Sequence, residues 1–187
     1  MLARFVDRKL RAFEQRFGYD ATYMREMLPV STQAFFRVAR LQGLSSFRQG
    51  VPKAPWYAAK LLGALQEDCG PCAQLVVNMA LAEDVAPAVL QAVAEGRQGA
   101  MTDDVALAYR YARAVIDRAP SDEVIDAVVA RWGRLGLISL AFAVTTARFY
   151  PMLKYALGHG KACVRLTIGT RAVAVHQVTA VAVATTV

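Results

Sequence analysis

Cys69 and Cys72 are the residues of this chain whose types and spacing most clearly indicate chemistry. They enclose Gly70 and Pro71, so their thiols lie about one turn apart on a helix. Proline suits the first turn of a helix, where its missing amide hydrogen is not needed, and the mostly apolar run from Ala73 to Leu81 contains no further proline. The spacing predicts a helix that starts at or just after Cys69, with two thiols that can open and close a disulfide without rearranging the fold.

The position of Cys69 favours it as the attacking thiol. At the start of the helix it faces unpaired amide groups and the positive end of the helix dipole, which lower the pKa of a thiol. Cys72, one turn later, is then placed to resolve a mixed disulfide formed on Cys69. Glu67 lies within reach of Cys69 in sequence and is a candidate proton carrier. The alternative for Glu67 is a solvated carboxylate at the end of the preceding helix.

The elements that must position this pair are predicted to be helices. Apolar residues recur at helical spacing from Leu2 to Phe13, which predicts an amphipathic first helix that covers the protein's own core or a second subunit. Leu135 to Leu157 is apolar almost all round, which predicts a central buried helix bent at Pro151. We therefore expect an all-α fold, with one helical domain over residues 1–163. Aromatic residues at helical spacings are expected in its core: Tyr109, Tyr111, Trp132, Phe149 and Tyr155.

Residues 164–187 differ from the rest of the chain. They are rich in Val, Thr and Ala, which suit extended structure better than helix. A short hairpin, an arm that packs on a partner and a disordered tail are all compatible with this composition. His176 has no companion acid or nucleophile nearby, so a structural or exposed role is expected for it.

Composition narrows the class of protein. Hydrophobic residues make up 56% of the 187 residues, so we expect a homo-oligomer in which helical faces are covered by another subunit. The net charge of +7 is attributed to a solvated face or to charge pairs between subunits, because no zinc finger, RNP-like strand or long basic run indicates nucleic acid. Charged residues from Arg4 to Arg11 interrupt any signal peptide, and the apolar run Leu135 to Ala147 is too short for a membrane span. We expect a cytoplasmic protein with neither a nucleic-acid nor a membrane partner.

Two segments resemble the carboxymuconolactone decarboxylase family, in its alkylhydroperoxidase-D-like branch: Gln66 to Val77, which holds the cysteine pair, and Ala147 to Leu157. The similarity covers about residues 20 to 163. The resemblance implies an all-α subunit that assembles into oligomers. It also implies that Cys69 and Cys72 act as a disulfide couple, which reduces a small hydroperoxide or disulfide and takes electrons from or passes them to a thiol protein. Thioredoxins carry the same Cys-Gly-Pro-Cys tetrapeptide, but there it follows a buried strand, whereas here a predicted helix precedes it.

The chain departs from the family pattern at Val76. Redox members carry a histidine four residues after the second cysteine, as part of a proton relay with an upstream glutamate, and here that position is Val76. Valine carries no proton, so slow peroxide reduction is expected unless Glu67, Asp68 or another group replaces the histidine. The cysteine pair itself disfavours lactone decarboxylation, because the decarboxylase members do not use a cysteine pair in this way.

Two other functions are compatible with the same residues. Cys69 and Cys72, with His159 and Cys163, are the right ligand types for a tetrahedral zinc site, although the long gap between the pairs is unlike compact zinc modules. The pair is also compatible with a redox-sensitive latch in an oligomeric binding protein without turnover. No phosphate loop, nucleophile elbow or dinucleotide fingerprint is present, so no cofactor is expected.

Overall fold

The computed structural model describes residues 2–160 and 165–174, and this part of the chain is predominantly helical. Eight α-helices, one 3-10 turn (Gln98–Ala100) and a two-stranded hairpin account for its regular structure, which confirms the all-α prediction. Cys163 and His176 lie outside the described residues, and so do the predictions made for them. In chain order the elements are α1 (Leu2–Phe17), α2 (Thr22–Val30), α3 (Thr32–Ser45), α4 (Lys53–Gln66), α5 (Gly70–Ala82), α6 (Pro87–Ala94), α7 (Asp103–Ile116), α8 (Asp122–Ala156), β1 (Arg165–Ile168) and β2 (Arg171–Ala174).

The central helix is α4, and not the Leu135 to Leu157 segment that the sequence predicts. Every residue from Pro55 to Ala64 is buried, and α4 packs against α5, α6, α7 and α8. Gly63 permits the closest of these contacts, because a Cβ there would lie only 2.7 Å from the Val144 carbonyl oxygen of α8. Small residues therefore bring α4 into the middle of the bundle, where larger apolar residues of α8 cover one side of it.

Helix α8 consists of two parts that meet at Gly133. The backbone there has φ 71° and ψ 177°, a conformation that interrupts the helix and that glycine adopts without strain. Ser121 caps the first part, accepting a hydrogen bond from the Val124 amide at 3.4 Å, whereas Pro151 is accommodated inside the second part. Asp122–Ala156 thus forms one element that is broken at Gly133.

The second part of α8 leaves an apolar face exposed. Leu135 and Ile138 are each 45% exposed, and Phe149 and Tyr155 are also exposed rather than in the core as predicted. By length and composition α8 also qualifies as a candidate membrane span, and 33% of its most apolar window is buried inside the protein. Its exposed apolar residues alternate with buried ones, so one side packs on the core and the other remains uncovered.

Helices α1, α2 and α3 build a second apolar cluster, which contains both cysteines. The apolar face of α1, formed by Val6, Leu10, Phe13 and Phe17, packs against this cluster, so the protein's own core is a partner of that face. The hairpin contacts α5 and α6. Its backbone is held to α5 by Gln74, whose side chain accepts from the Thr167 amide at 2.8 Å and donates to the Thr167 carbonyl at 2.9 Å.

Candidate functional site

The cysteine pair lies at the junction of α4 and α5. Cys69 is the N-cap of α5 and Pro71 lies in the first turn, as the sequence predicts. Asp68 turns the chain between the helices with a positive φ of 48°, and its carbonyl accepts a hydrogen bond from the Tyr155 hydroxyl at 2.9 Å. A contact from α8 therefore helps to hold the turn that presents Cys69 to the start of the helix.

Both cysteines are present as buried thiols. Cys69 has no exposed surface and Cys72 is 5% exposed, and their sulfur atoms lie 2.7 Å apart. The pKa of the Cys72 thiol is raised, first because its protonated form makes a hydrogen bond with Cys69 and second because the site is buried. Both effects favour the protonated form of Cys72. The sulfurs are close enough for a disulfide to form with only a small displacement.

A buried lysine, Lys154, supplies positive charge beside the thiols. Its side chain is only 2% exposed, and its ammonium group donates to the Asp20 carbonyl at 3.3 Å. It lies over the rings of Tyr19 and Tyr23, at 4.7 Å and 5.4 Å from their centroids. Its charge acts to lower the pKa of Cys72, against the larger effects that raise it. Lys154 thus stabilises negative charge on the sulfur pair.

Tyr19 is the nearest hydroxyl group to the pair that the structure identifies. Its oxygen lies 3.9 Å from the Cys72 sulfur, so either atom can donate a proton in that contact. Burial raises the pKa of Tyr19 far above its usual value, and burial also raises the pKa of Tyr23. Both hydroxyls are therefore protonated at neutral pH. Neither tyrosine nor Lys154 was identified as a site residue from the sequence.

Glu67, the predicted proton carrier, is engaged elsewhere. Its Oε1 accepts a hydrogen bond from the Arg148 guanidinium at 2.5 Å, and the two side chains form a half-buried ion pair between α4 and α8. Glu67 also caps the C-terminus of α4. The structure thus brings Cys69 and Cys72 together, whereas the Glu67 carboxylate is paired with Arg148.

An apolar cavity of about 430 Å³ lies beside the pair, within the range of small-molecule sites. It is bounded by residues of α1 to α5 and α8. Cys72 and Val76 both line it, so the residue at the family's histidine position faces the same space as the second thiol. Cys69, without exposed surface, lies behind Cys72. The residues that line the cavity were not predicted, because it forms where six helices meet and no single segment of the sequence encodes it.

Lys60 is also buried, and it lines the cavity beside Cys72. It is 4% exposed, and its ammonium group donates to the Ser45 carbonyl at 2.5 Å and to the Ser45 hydroxyl at 3.0 Å. It also lies 4.5 Å from the centroid of the Trp56 ring. Burial lowers the pKa of Lys60 to about 8, with Glu83 acting in the opposite direction.

The residues suggested for a zinc site are only partly described. His159 Nε2 lies 3.0 Å from a Glu26 carboxylate oxygen, and Cys163 is outside the described residues. Within residues 2–160 and 165–174, no group of three or more His, Cys, Asp or Glu side chains is arranged to hold a metal ion. In the described part of the chain, His159 thus pairs with a carboxylate of α2.

No protein-family model matches the chain, and the searches of curated proteins and of solved structures found no match either. The resemblance to the carboxymuconolactone decarboxylase family therefore rests on the residues quoted from the sequence and stays a prediction.

Proposed function

We propose that the protein is a thiol–disulfide oxidoreductase of the alkylhydroperoxidase-D-like kind, which uses Cys69 and Cys72 to reduce a hydroperoxide or a disulfide. The observation that carries the proposal is the contact between the two sulfurs, 2.7 Å apart at the start of α5, beside an apolar cavity. A cytosolic cysteine pair at this spacing is more often catalytic or metal-binding than structural.

The two thiols supply both electrons that the reduction of a peroxide requires. A thiolate attacks one peroxide oxygen, the O–O bond breaks, and the leaving alkoxide takes a proton to become an alcohol. The attacking sulfur becomes a sulfenic acid, and the second thiol displaces water from it to form the disulfide. Two electrons pass from the thiols to the peroxide, so a thiol compound or thiol protein must reduce the disulfide before the next cycle.

Ionisation and access favour different cysteines for the first step. The raised pKa of Cys72 favours ionisation of the other thiol of the pair, and this supports Cys69 as the attacking thiol. The cavity, however, reaches Cys72 and not Cys69. Attack by Cys69 therefore requires a local opening, whereas attack by Cys72 requires the shared proton to move to Cys69.

A trapping experiment separates these two assignments. Each of Cys69→Ser and Cys72→Ser retains one thiol of the pair, which can form a sulfenic acid but cannot be resolved by its partner. Treatment with cumene hydroperoxide and a sulfenic-acid reagent, followed by mass spectrometry, identifies the sulfur that is oxidised. Faster labelling of Cys69 supports the prediction, and faster labelling of Cys72 assigns the first step to the thiol that faces the cavity.

Proton transfer in this proposal falls to Tyr19, with Lys154 as a fixed charge nearby. Val76 cannot exchange protons, and Glu67 is paired with Arg148. The Tyr19 hydroxyl is 3.9 Å from Cys72, which is longer than an ideal hydrogen bond but typical of a catalytic contact without substrate. The high pKa of Tyr19 makes it a weak acid, so turnover slower than that of a histidine relay is expected.

We also propose that the protein is a homo-oligomer. The exposed apolar face of α8, which includes Leu135 and Ile138, supports this proposal because such faces are usually covered by a partner. Light scattering on the purified protein measures the subunit count directly, and a monomer at micromolar concentration would remove this part of the proposal.

A latch without turnover is the second candidate, favoured by the complete burial of Cys69 and by Val76 at the relay position. The test is steady-state reduction of cumene hydroperoxide with dithiothreitol as the reductant, using both serine variants as controls. Turnover that needs both cysteines supports the oxidoreductase. A disulfide that forms and reopens without measurable turnover supports the latch.

A further inference from the structure

The cavity beside Cys72 contains a positive charge that is not paired with a carboxylate in the described part of the chain. Lys60 is buried, and its ammonium group hydrogen-bonds to the carbonyl and hydroxyl oxygens of Ser45. No salt bridge to Lys60 is present among residues 2–160 and 165–174. Glu83 acts on it only at longer range, since this carboxylate is bound to Tyr57 at 2.6 Å and to Arg48 at 3.0 Å.

An unpaired buried ammonium is costly, and an anionic ligand offsets that cost. An ammonium group has three N–H donors, and Ser45 accepts two hydrogen bonds from Lys60. A carboxylate in the cavity can accept the third and neutralise the charge.

The rest of the cavity fits a hydrocarbon chain. Its walls come largely from apolar side chains, among them Leu10, Phe13, Met24 and Phe35. Cys72, Leu75, Val76 and Met79 line it along α5 over two helical turns, a length of about 10 Å. An extended apolar chain can therefore lie along α5 and pass the Cys72 sulfur.

We propose that this cavity binds a single-chain amphipathic carboxylate, whose head pairs with Lys60 and whose chain lies against the apolar wall that contains Cys72. If the proposed oxidoreductase function holds, on which this extension rests, the substrate class is a carboxylate with a hydroperoxide group on its chain. The binding site itself does not depend on the thiol chemistry.

The test compares three ligands of equal chain length on the reduced full-length protein. Decanoate, decanol and decylamine are titrated by calorimetry or by tryptophan fluorescence, since Trp56 contacts Lys60. Decanoate should bind at least about 10-fold more tightly than decanol, because it gains a charge-assisted hydrogen bond, and decylamine should bind most weakly. Equal affinities for decanoate and decanol, or no binding of decanoate, would overturn the proposal.

Two lysine variants locate the anion site. Lys60→Met keeps the length of the side chain and removes its charge, so it should weaken decanoate binding about 10-fold and leave decanol binding unchanged. Lys9 is the other lysine that lines the cavity, so Lys9→Met tests the competing assignment. Arg37, an exposed residue of α3 that is not among the lining residues, is the control, and Arg37→Met should leave both affinities unchanged. Loss of selectivity in Lys9→Met, with selectivity retained in Lys60→Met, would refute the assignment to Lys60. If Lys60→Met does not fold, the three-ligand comparison on the unmodified protein still decides the proposal.

The binding test and the turnover test can fail independently, because decanoate has no group that the thiols can reduce. Decanoate binding without hydroperoxide turnover leaves the binding site standing and removes the oxidoreductase. Turnover of cumene hydroperoxide without decanoate binding removes the binding site and leaves the oxidoreductase standing.

Discussion

Lys60 predicts a specific pH dependence of stability. Burial lowers its pKa from 10.5 to about 8 in the folded protein, so between these values the unfolded chain binds more protons than the folded chain. The free energy of unfolding therefore rises with pH over this interval. The full cost of burying the charged lysine is present below about pH 8 and is relieved as the pH rises through the folded-state pKa.

The size of the effect follows from the shift. A pKa difference between 10.5 and about 8 corresponds to about 3 kcal/mol in total. Between about pH 7 and about pH 9 only part of this is released, and the linkage relation gives roughly 1 kcal/mol. The raised pKa values of Cys72 and the buried tyrosines make the fold less stable at high pH. A substitution at Lys60 leaves this contribution unchanged, so it cancels when the two proteins are compared.

The assay is urea unfolding of the unmodified protein and of Lys60→Met at about pH 7 and about pH 9, both with reductant present. The difference in unfolding free energy between the two proteins should shift by roughly 1 kcal/mol in favour of the unmodified protein at the higher pH. Lys9→Met, which changes an exposed lysine, should run parallel to the unmodified protein. Parallel curves for Lys60→Met as well would show that Lys60 titrates normally, and the argument from burial would be wrong.

Three further predictions concern the thiols and the assembly. Val76→His places an imidazole in the cavity wall beside Cys72 and should raise hydroperoxide turnover by about 100-fold. Thermal melting of the variant detects a destabilised helix. Fast turnover in the unmodified protein would show that Val76 does not limit the reaction. Lys154→Met removes a charge that lowers the pKa of Cys72, so alkylation of the pair by iodoacetamide should slow by about 10-fold and recover in Lys154→Arg; an unchanged rate would remove Lys154 from the site. Ile138→Glu should reduce the mass measured by light scattering, whereas Val30→Glu, at an exposed position on α2, should not; equal masses in both variants would place the interface elsewhere.

A local signal in the sequence was sufficient for the start of α5, which Pro71 predicted correctly. Ser31, a residue type that favours the N-cap position, caps α3 and accepts a hydrogen bond from the Ala34 amide at 3.1 Å. These features depend on a few neighbouring residues and on steric and hydrogen-bonding rules that act within one turn. The all-α prediction follows from the same rules applied along the chain.

The order of burial among the helices could not be read from apolar content. Helix α8 has the longer apolar run, but α4 is the central helix. It is buried from Pro55 to Ala64, and Gly63 permits a close approach to α8. Apolar side chains such as Phe149 and Met152 remain exposed on α8. Hydrophobicity predicts that an apolar face will be buried against something. Side-chain volume decides which helix can pack at the centre of the bundle.

The buried lysines Lys60 and Lys154 were missed for a related reason. A lysine on a helix is usually solvated, and only its apolar neighbours in sequence give a hint of burial, as in Ala59-Lys60-Leu61. The Lys154 ammonium group lies over the ring of Tyr19, which is distant in sequence. The Lys60 ammonium group lies over the ring of Trp56, one turn earlier on the same helix. The charge around the thiols is therefore a product of tertiary packing.

The most direct test of the proposed redox couple is a thiol titration of the purified chain across a series of dithiothreitol redox buffers. Two thiols per chain should be gained and lost reversibly. Either Cys69→Ser or Cys72→Ser should abolish this change, whereas Cys163→Ser should leave it intact. Two thiols that stay inaccessible with zinc bound, or a pair that never oxidises, would contradict the claim that Cys69 and Cys72 form a redox couple.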